Sequence, residues 1–216
     1  MGGASSDAAS ALLCAAKLCG IPSDHPDIAL LAAELGSDVP FFLGNAGTAW
    51  AAARAQGRGE QLTPVALSTQ LNAVVVFPPE SLSTARIYSK SSISAAPKSA
   101  EPLIAALKVG VLQKITSQMC NRLQEPASKI APQIDEILKS MWRHGLLGCQ
   151  LTGSGSACFG LTTSATQATQ TASQLRSRYV GVQHRCDEPH ADCQDIPTAR
   201  VVATSSVLVP ASIQIE

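Results

Sequence analysis

The order of apolar and helical segments in the second half of the chain limits the folds open to it. "LNAVVVFPPE", residues 71–80, predicts a buried strand that two prolines end. Two helical patterns follow, in "PLIAALKVGVLQKITSQM" and "PASKIAPQIDEILKSMWRHG". After them come two short apolar runs within "LLGCQLTGSGSACFGLTT", a polar helix, and a last strand in "ARVVATSSVLVP". Segments in this order are typical of a split βαβ domain, and we therefore predict an α+β fold.

The first 70 residues predict a smaller domain that begins with two helices. Small and apolar residues from 6 to 18, with glycine and proline behind them, indicate one helix. "HPDIALLAAEL" indicates a second helix, capped by Asp24 and ended by Gly36. Ile28, Leu31 and Leu35 are expected to share one face of this helix. A loop, a short buried segment and an irregular hairpin fill the rest, so the predicted domains are 1–70 and 71–216.

Charge and hydropathy exclude several classes of partner. The chain has 16 Lys plus Arg and 16 Asp plus Glu, so no net field attracts nucleic acid or an anionic membrane surface. No apolar stretch approaches the roughly 18 residues of a spanning helix, and the residues after Met1 do not resemble a secretory signal. We expect a cytoplasmic protein with neither nucleic acid nor membrane as a partner. Its oligomeric state stays open.

The seven cysteines are an odd number, and reduced thiols are the expected state. One segment, "HRCDEPHADC", brings His184, Cys186, His190 and Cys193 within ten residues. These side chains can bind zinc, but the segment lacks the CxxC and HxxxH spacings of structural zinc sites. A solvated loop is the favoured interpretation, with a metal site as the alternative.

The opening stretch, "GGASSDAAS", predicts a turn that leads into a helix. Such a turn presents unpaired backbone N–H groups and the positive end of the helix dipole, which attract phosphate. Gly2 and Gly3 allow close backbone approach, Ser5 and Ser6 offer hydroxyls to phosphate or Mg²⁺, and Asp7 is expected to support the first turn. The lysine of a Walker A loop is absent, and an ordinary serine-capped helix is the alternative.

A second turn of the same composition lies in "LTGSGSACFGL". A tight hairpin needs glycine, which explains part of the pattern. The hydroxyls of Thr152, Ser154 and Ser156 can either close over a nucleotide or stabilise a nearby helix end. Together, the two turns indicate a phosphate clamp.

Between the turns, "LGSDVPFFL" places Asp38 before an apolar run. The carboxylate is interpreted either as a helix cap or as a partly buried base. As a base it would accept or orient the proton of a substrate hydroxyl that attacks the γ-phosphoryl group of ATP.

In this order and spacing, "GGASSDAA", "LGSDVPFFL", "GRGEQLTPV" and "LTGSGSACFGL" resemble the GHMP kinase superfamily, over residues 2 to about 207. The resemblance implies the C-terminal part of a ribosomal-protein-S5-like first domain, followed by a ferredoxin-like second domain. "LGSDVPFF" followed by "GRGE" is most similar to the branch that uses ATP and Mg²⁺ to phosphorylate a cytidine-diphosphate-linked methylerythritol at its 2-hydroxyl, in non-mevalonate isoprenoid synthesis. Other GHMP kinases, acting on homoserine or a mevalonate derivative, are the alternatives.

The resemblance also implies roles for particular residues. Asp38 would be the catalytic aspartate. The ATP-phosphate loop would comprise Gly2, Gly3, Ala4, Ser5, Ser6, Asp7 and Ala8, and the third superfamily motif Gly153, Ser154, Gly155 and Ser156. Ala4 stands where the family usually has glycine, and its Cβ would narrow the approach of phosphate if φ were positive there.

Members of the superfamily carry a region before this point, with a lysine that pairs with the aspartate, and the sequence does not show it. We therefore expect the 216-residue chain alone to have little or no kinase activity. A non-catalytic remnant is the alternative from outside the enzymes.

Overall fold

The computed structural model describes residues 2–44, 51–92, 96–180 and 199–206. The chain divides into two compact units: unit 1 contains Met1–Gln70 and Ala100–Gly110, and unit 2 contains Leu71–Ser99 and Val111–Ser206. Assignment of 1–70 and 71–216 to the two domains of a GHMP kinase stays a prediction. Within the described residues, no helix is both long enough and apolar enough to cross a membrane.

The described residues form helices and strands throughout both units. The helices are α1 (Gly3–Leu18), α2 (Pro26–Leu35), α3 (Val39–Leu43), α4 (Thr84–Lys90), α5 (Glu101–Val109), α6 (Leu112–Gln118), α7 (Gln124–Ile130), α8 (Gln133–Arg143) and α9 (Ala165–Val180). The strands are β1 (Ala53–Gln56), β2 (Gln61–Pro64), β3 (Asn72–Phe77), β4 (Leu147–Leu151), β5 (Cys158–Thr162) and β6 (Arg200–Ser205).

The first three helices pack together in unit 1 through small and medium-sized side chains. Their buried residues are Ala9 and Ala16 of α1, Ile28 and Ala32 of α2, and Val39 and Leu43 of α3. Of the three α2 residues expected to share one face, Ile28 is buried, whereas Leu31 and Leu35 are 45% and 60% exposed. Packing selects the face that carries Ile28 and Ala32, four residues apart.

Helix α2 also begins differently from its prediction. His25, not Asp24, is the capping residue, and its Nδ1 accepts a hydrogen bond from the Asp27 N–H at 3.3 Å. Pro26 then occupies the first helical position, where its missing N–H costs nothing. Gly36 ends the helix as predicted.

Helix α5 returns the chain to unit 1 after part of unit 2 has been built. Arg54 of β1 forms an ion pair with Glu101 at 2.7 Å. Near the other end of α5, the Ser68 N–H donates to the Leu107 carbonyl at 3.3 Å, and the Ser68 hydroxyl donates to the Lys108 carbonyl. Unit 1 is therefore built from segments that are not continuous in sequence.

Unit 2 is a four-stranded sheet in the order β4-β5-β3-β6, with all neighbouring strands antiparallel. Val75 of the central strand β3 lies opposite Phe159 on one side and Val202 on the other. Counted along the chain within unit 2, β3 is the first strand, β4 the second, β5 the third and β6 the fourth. The order across the sheet is therefore 2-3-1-4, which is the split βαβ arrangement. The predicted α+β fold and the predicted strands are confirmed.

Apolar residues at helical spacing attach α8 and α9 to the core of unit 2. These residues include Ile134, Ile137, Leu138 and Met141 of α8, and Ala168, Ala172 and Leu175 of α9. Two helical patterns of the sequence are interrupted in the structure. Gly110, with φ 78°, separates α5 from α6, and Pro132 stands between α7 and α8 as the residue before α8.

The described cysteines are free thiols, as expected. Burial raises the pKa of Cys149 and of Cys158 to about 12, so both stay protonated and unreactive near neutral pH. The possible zinc ligands His184, Cys186, His190 and Cys193 lie outside the described residues. Elsewhere, in the parts of the chain that the structure describes, no group of His, Cys, Asp and Glu has the arrangement of a metal site.

Candidate functional site

The glycine and serine stretch at the start of the chain is the first turn of α1 itself, not a turn that precedes the helix. Gly2 is the capping residue, with φ 68°, and its carbonyl accepts from the Ser6 N–H at 2.9 Å. Helical geometry leaves the N–H groups of Gly3, Ala4 and Ser5 without partners in the helix. Amide donors and the helix dipole thus point out of this end of α1, as an anion site requires.

Two expectations about this stretch change with the structure. Asp7 does not support the first turn, which has no acidic residue; Asp7 lies one residue beyond it and is exposed. Ala4 is helical and exposed, so its Cβ does not restrict the backbone. The side chains of Ser5 and Ser6 are half-buried, and Ala8 packs against the core of unit 1.

Helix α3 packs against the start of α1. A Cβ on Gly2 would lie 2.8 Å from the ring of Phe42, so only glycine fits beside this ring. Asp38 is the residue before α3, four positions from Phe42, or about 6 Å along the helix axis. The aspartate and the amide end of α1 therefore belong to the same part of unit 1.

The Asp38 carboxylate is exposed and makes no capping hydrogen bond to α3. Among the residues that the structure describes, it accepts one hydrogen bond, from the Ser37 hydroxyl at 3.3 Å. Although Asp38 occupies the position of a helix cap, its carboxylate is not used as one. The group is open to a ligand from solvent.

The turn at residues 57–60 of the β1-β2 hairpin contacts the segment that carries Asp38. Gly59, with φ 121°, fits so closely that a Cβ would overlap the Ser37 carbonyl oxygen. The Glu60 carboxylate accepts from the Arg58 N–H at 2.8 Å. Hydrogen bonds from the backbone of Glu60 and Arg58 lower the pKa of Glu60, so near neutral pH it is ionised and bonded to the turn.

Replacing Gly59 by alanine is expected to destabilise unit 1 by about 2–5 kcal/mol, since left-handed backbone strain and overpacking against Ser37 act together. Urea unfolding followed by circular dichroism measures the loss. Gly20→Ala is the matched control, because Gly20 has φ 69° with open space around it, and strain alone should cost about 1–2 kcal/mol. Equal losses for the two variants would show that the contact with Ser37 is unimportant.

The third-motif turn at residues 152–157 lies in unit 2. Gly153 and Gly155 have φ values of 51° and 96°, which explains the glycines. The Ser154 hydroxyl lies 2.9 Å from that of Thr84, the first residue of α4, so it meets a helix end, one of the two predicted uses. The turn and the start of α1 belong to different units, and the phosphate clamp stays a prediction.

Asn121 fixes the third-motif turn, and sequence reasoning missed it. Its side-chain amide donates to the carbonyls of Leu151 and Gly153, both at 2.8 Å, and its oxygen accepts from the Leu123 N–H at 2.9 Å. Asn121 stands 30 and 32 residues from its two carbonyl partners. No local pattern reveals such a contact.

Replacing Asn121 by alanine removes these three hydrogen bonds, and we expect unit 2 to lose about 2–3 kcal/mol of stability. Faster amide hydrogen exchange at residues 153–156 should accompany the loss. Ser117→Ala, which removes an exposed hydroxyl that bonds only to its own helix, should stay within about 0.5 kcal/mol. Unchanged exchange in the Asn121 variant would mean that the turn is held by other contacts.

Comparison with known proteins identifies relatives of this chain. Residues 103–181 match the family described as GHMP kinases C terminal. A 4-diphosphocytidyl-2-C-methyl-D-erythritol kinase of Rhodopirellula baltica is 44% identical over 190 residues, which are 84% of this chain and 57% of the relative. The kinase of the same name from Pelotomaculum thermopropionicum is 36% identical over 82% of this chain and 60% of its own length. The chain thus spans about three fifths of these relatives.

Solved structures give the same result. A crystal structure of 4-(cytidine 5'-diphospho)-2C-methyl-D-erythritol kinase superposes with a TM-score of 0.69 and 32% identity, over 94% of this chain and 65% of that one. A homoserine kinase from Cytophaga hutchinsonii, at 18% identity and a TM-score of 0.52, covers 69% of this chain and 45% of its own, and shares the fold. Sequence, family match and fold agree that the chain belongs to the GHMP kinase superfamily.

Proposed function

We propose that this chain provides the phosphate-binding helix and the catalytic carboxylate of an ATP-dependent kinase. The acceptor is the 2-hydroxyl of 4-(cytidine 5'-diphospho)-2-C-methyl-D-erythritol. The observation that carries the proposal is the 44% identity to a kinase named for this compound, across 84% of the chain. Likeness to homoserine kinase, at 18% identity, extends to the fold alone.

The geometry of unit 1 suits transfer of a phosphoryl group to an alcohol. Unpaired amides of Gly3, Ala4 and Ser5 would bind the phosphates of ATP at the start of α1. Asp38, open to solvent and associated with α1 through α3, would accept or orient the proton of the attacking hydroxyl. Because the transition state is loose, positioning and charge stabilisation supply most of the rate enhancement.

Mg²⁺ is part of the proposal, because the oxygen donors in this part of unit 1 suit it. The hydroxyls of Ser5 and Ser6 and the carboxylate of Asp38 are oxygen groups of the kind that Mg²⁺ binds together with substrate phosphates. Bound there, the ion would neutralise charge on the phosphoryl oxygens.

The proposal is tested with two proteins, because the chain spans about three fifths of its relatives. One is the chain itself, in which we expect little or no turnover. The other is a chimera in which the part of the Rhodopirellula baltica relative that precedes its match is joined to the start of this chain. Product formation from ATP and each candidate acceptor is followed by mass spectrometry.

For the chimera, kcat/KM with the cytidyl compound should exceed the values with homoserine and mevalonate by about 10,000-fold or more, the order expected when a site recognises polar groups that the analogues lack. Equal use of acceptors with and without cytidine would contradict the proposed substrate. Binding of an ATP analogue without transfer to any acceptor would favour a non-catalytic remnant.

A further inference from the structure

The hairpin turn at residues 57–60 lies outside the groups to which the proposed reaction assigns a role. One of its two glycines, Gly59, lies so close to Ser37, the residue before Asp38, that a Cβ on Gly59 would overlap the Ser37 carbonyl oxygen. Consecutive Cα atoms are about 3.8 Å apart, so Arg58 and Asp38 are each one residue away from this contact. The turn therefore places an arginine beside the segment that carries the proposed catalytic carboxylate.

The Arg58 side chain is exposed, and the backbone of the turn on both sides of it is well defined. Gly57 and Gly59 take positive φ values of 68° and 121° on either side of Arg58. The Glu60 carboxylate accepts the Arg58 N–H and also attracts the guanidinium electrostatically. Neither interaction buries the guanidinium, and Arg58 remains exposed.

Other cations in the described part of unit 1 are placed elsewhere. Arg54 is engaged with Glu101 at 2.7 Å. Lys17 lies in the last turn of α1, at the opposite end from Gly2, and Lys108 lies in the last turn of α5. Arg58 is exposed and directly precedes Gly59, the residue of the hairpin that lies against Ser37.

We propose that Arg58 is a phosphate-binding residue of the site, which contacts phosphate oxygens of a ligand bound beside Asp38. The guanidinium has the planar donor geometry that binds phosphate through two parallel hydrogen bonds. Two sources can supply these oxygens: the diphosphate of the acceptor and the terminal phosphate of ATP. This inference rests on the proposed function, because that function brings such ligands to Asp38.

Binding measurements on the whole 216-residue chain test the inference without requiring turnover. Calorimetry gives Kd for two probes separately: 4-(cytidine 5'-diphospho)-2-C-methyl-D-erythritol, and the non-hydrolysable ATP analogue AMP-PNP with Mg²⁺. Arg58→Ala removes the guanidinium, and Arg58→Lys keeps the charge without the planar donors. Arg143→Ala is the matched control, since it removes an exposed arginine from the last turn of α8 in unit 2.

Arg58→Ala should weaken binding of at least one probe by about ten- to a hundredfold, the usual effect of losing charge-assisted hydrogen bonds. Arg58→Lys should restore part of the affinity, and Arg143→Ala should change neither Kd. The probe that weakens identifies which phosphate Arg58 contacts. Unchanged affinity for both probes in Arg58→Ala would overturn this inference alone. If the unmodified chain binds neither probe, the phosphate site proposed for it fails, and the role of Arg58 fails with it.

Discussion

Replacing Asp38 by asparagine in the chimeric kinase is expected to lower kcat by about 100- to 10,000-fold, the range that a positioned general base contributes. Asparagine keeps the size of the side chain but cannot take a proton from the substrate hydroxyl. The aspartate is exposed, and its carboxylate accepts only the bond from Ser37 in the described structure, so the fold should tolerate the change. Steady-state kinetics with the cytidyl acceptor give kcat and KM separately.

Asp24→Asn provides the control for this variant. Asp24 is an exposed carboxylate of unit 1 that does not cap α2, and the same chemical change there should leave kcat unaltered. KM for the acceptor should change little in Asp38→Asn if the group acts mainly in the transition state. A variant at position 38 that turns over as fast as the unmodified chimera would remove Asp38 from the mechanism.

Replacing Leu175 by alanine is expected to destabilise unit 2 by about 2–5 kcal/mol. Leu175 lies on α9, is 0% exposed, and belongs to the core between α8, α9 and the sheet. The loss combines the transfer free energy of the deleted methyl groups with the cost of the cavity that remains. Urea unfolding monitored by circular dichroism measures the free energy of unfolding.

Val111→Ala is the control in the same unit. Val111 is 40% exposed and precedes α6, so its truncation should cost no more than about 0.5 kcal/mol. Similar losses for the two variants would mean that α9 is not packed as described. A loss of stability in Leu175→Ala but not in Val111→Ala would support the described packing of α9 against the sheet that carries the third-motif turn.

The sheet of unit 2 is predictable from sequence because its strands are short apolar runs with clear ends. Pro78 and Pro79 follow β3, and Gly153 and Gly155 lie between β4 and β5. The third-motif turn is predictable for the same reason, since backbone with positive φ requires these glycines. Such features are local, and a single sequence displays them.

Features that depend on distant contacts are not predictable in this way. Helical periodicity places Leu31 and Ile28 on one face, but packing against α1 and α3 decides which part of that face is buried. No local pattern in the sequence reveals the contacts of Asn121 or Gly59. Asn121 bonds to Leu151, 30 positions away, and Gly59 lies against Ser37, 22 positions away. The exposure of Asp38 likewise depends on how α3 begins. The sequence pattern is compatible both with an aspartate that caps this helix and with one that acts as a base.

The return of α5 to unit 1 determines where related genes can be recombined. A crossover at residue 71 would separate Arg54 from Glu101 and Ser68 from Lys108, although all four belong to unit 1. The family match starts at residue 103, inside α5, so a fragment cut at that point would begin partway through this helix. Hybrid enzymes that exchange residues 100–110 together with 1–70 should therefore fold more often than hybrids that exchange 1–70 alone.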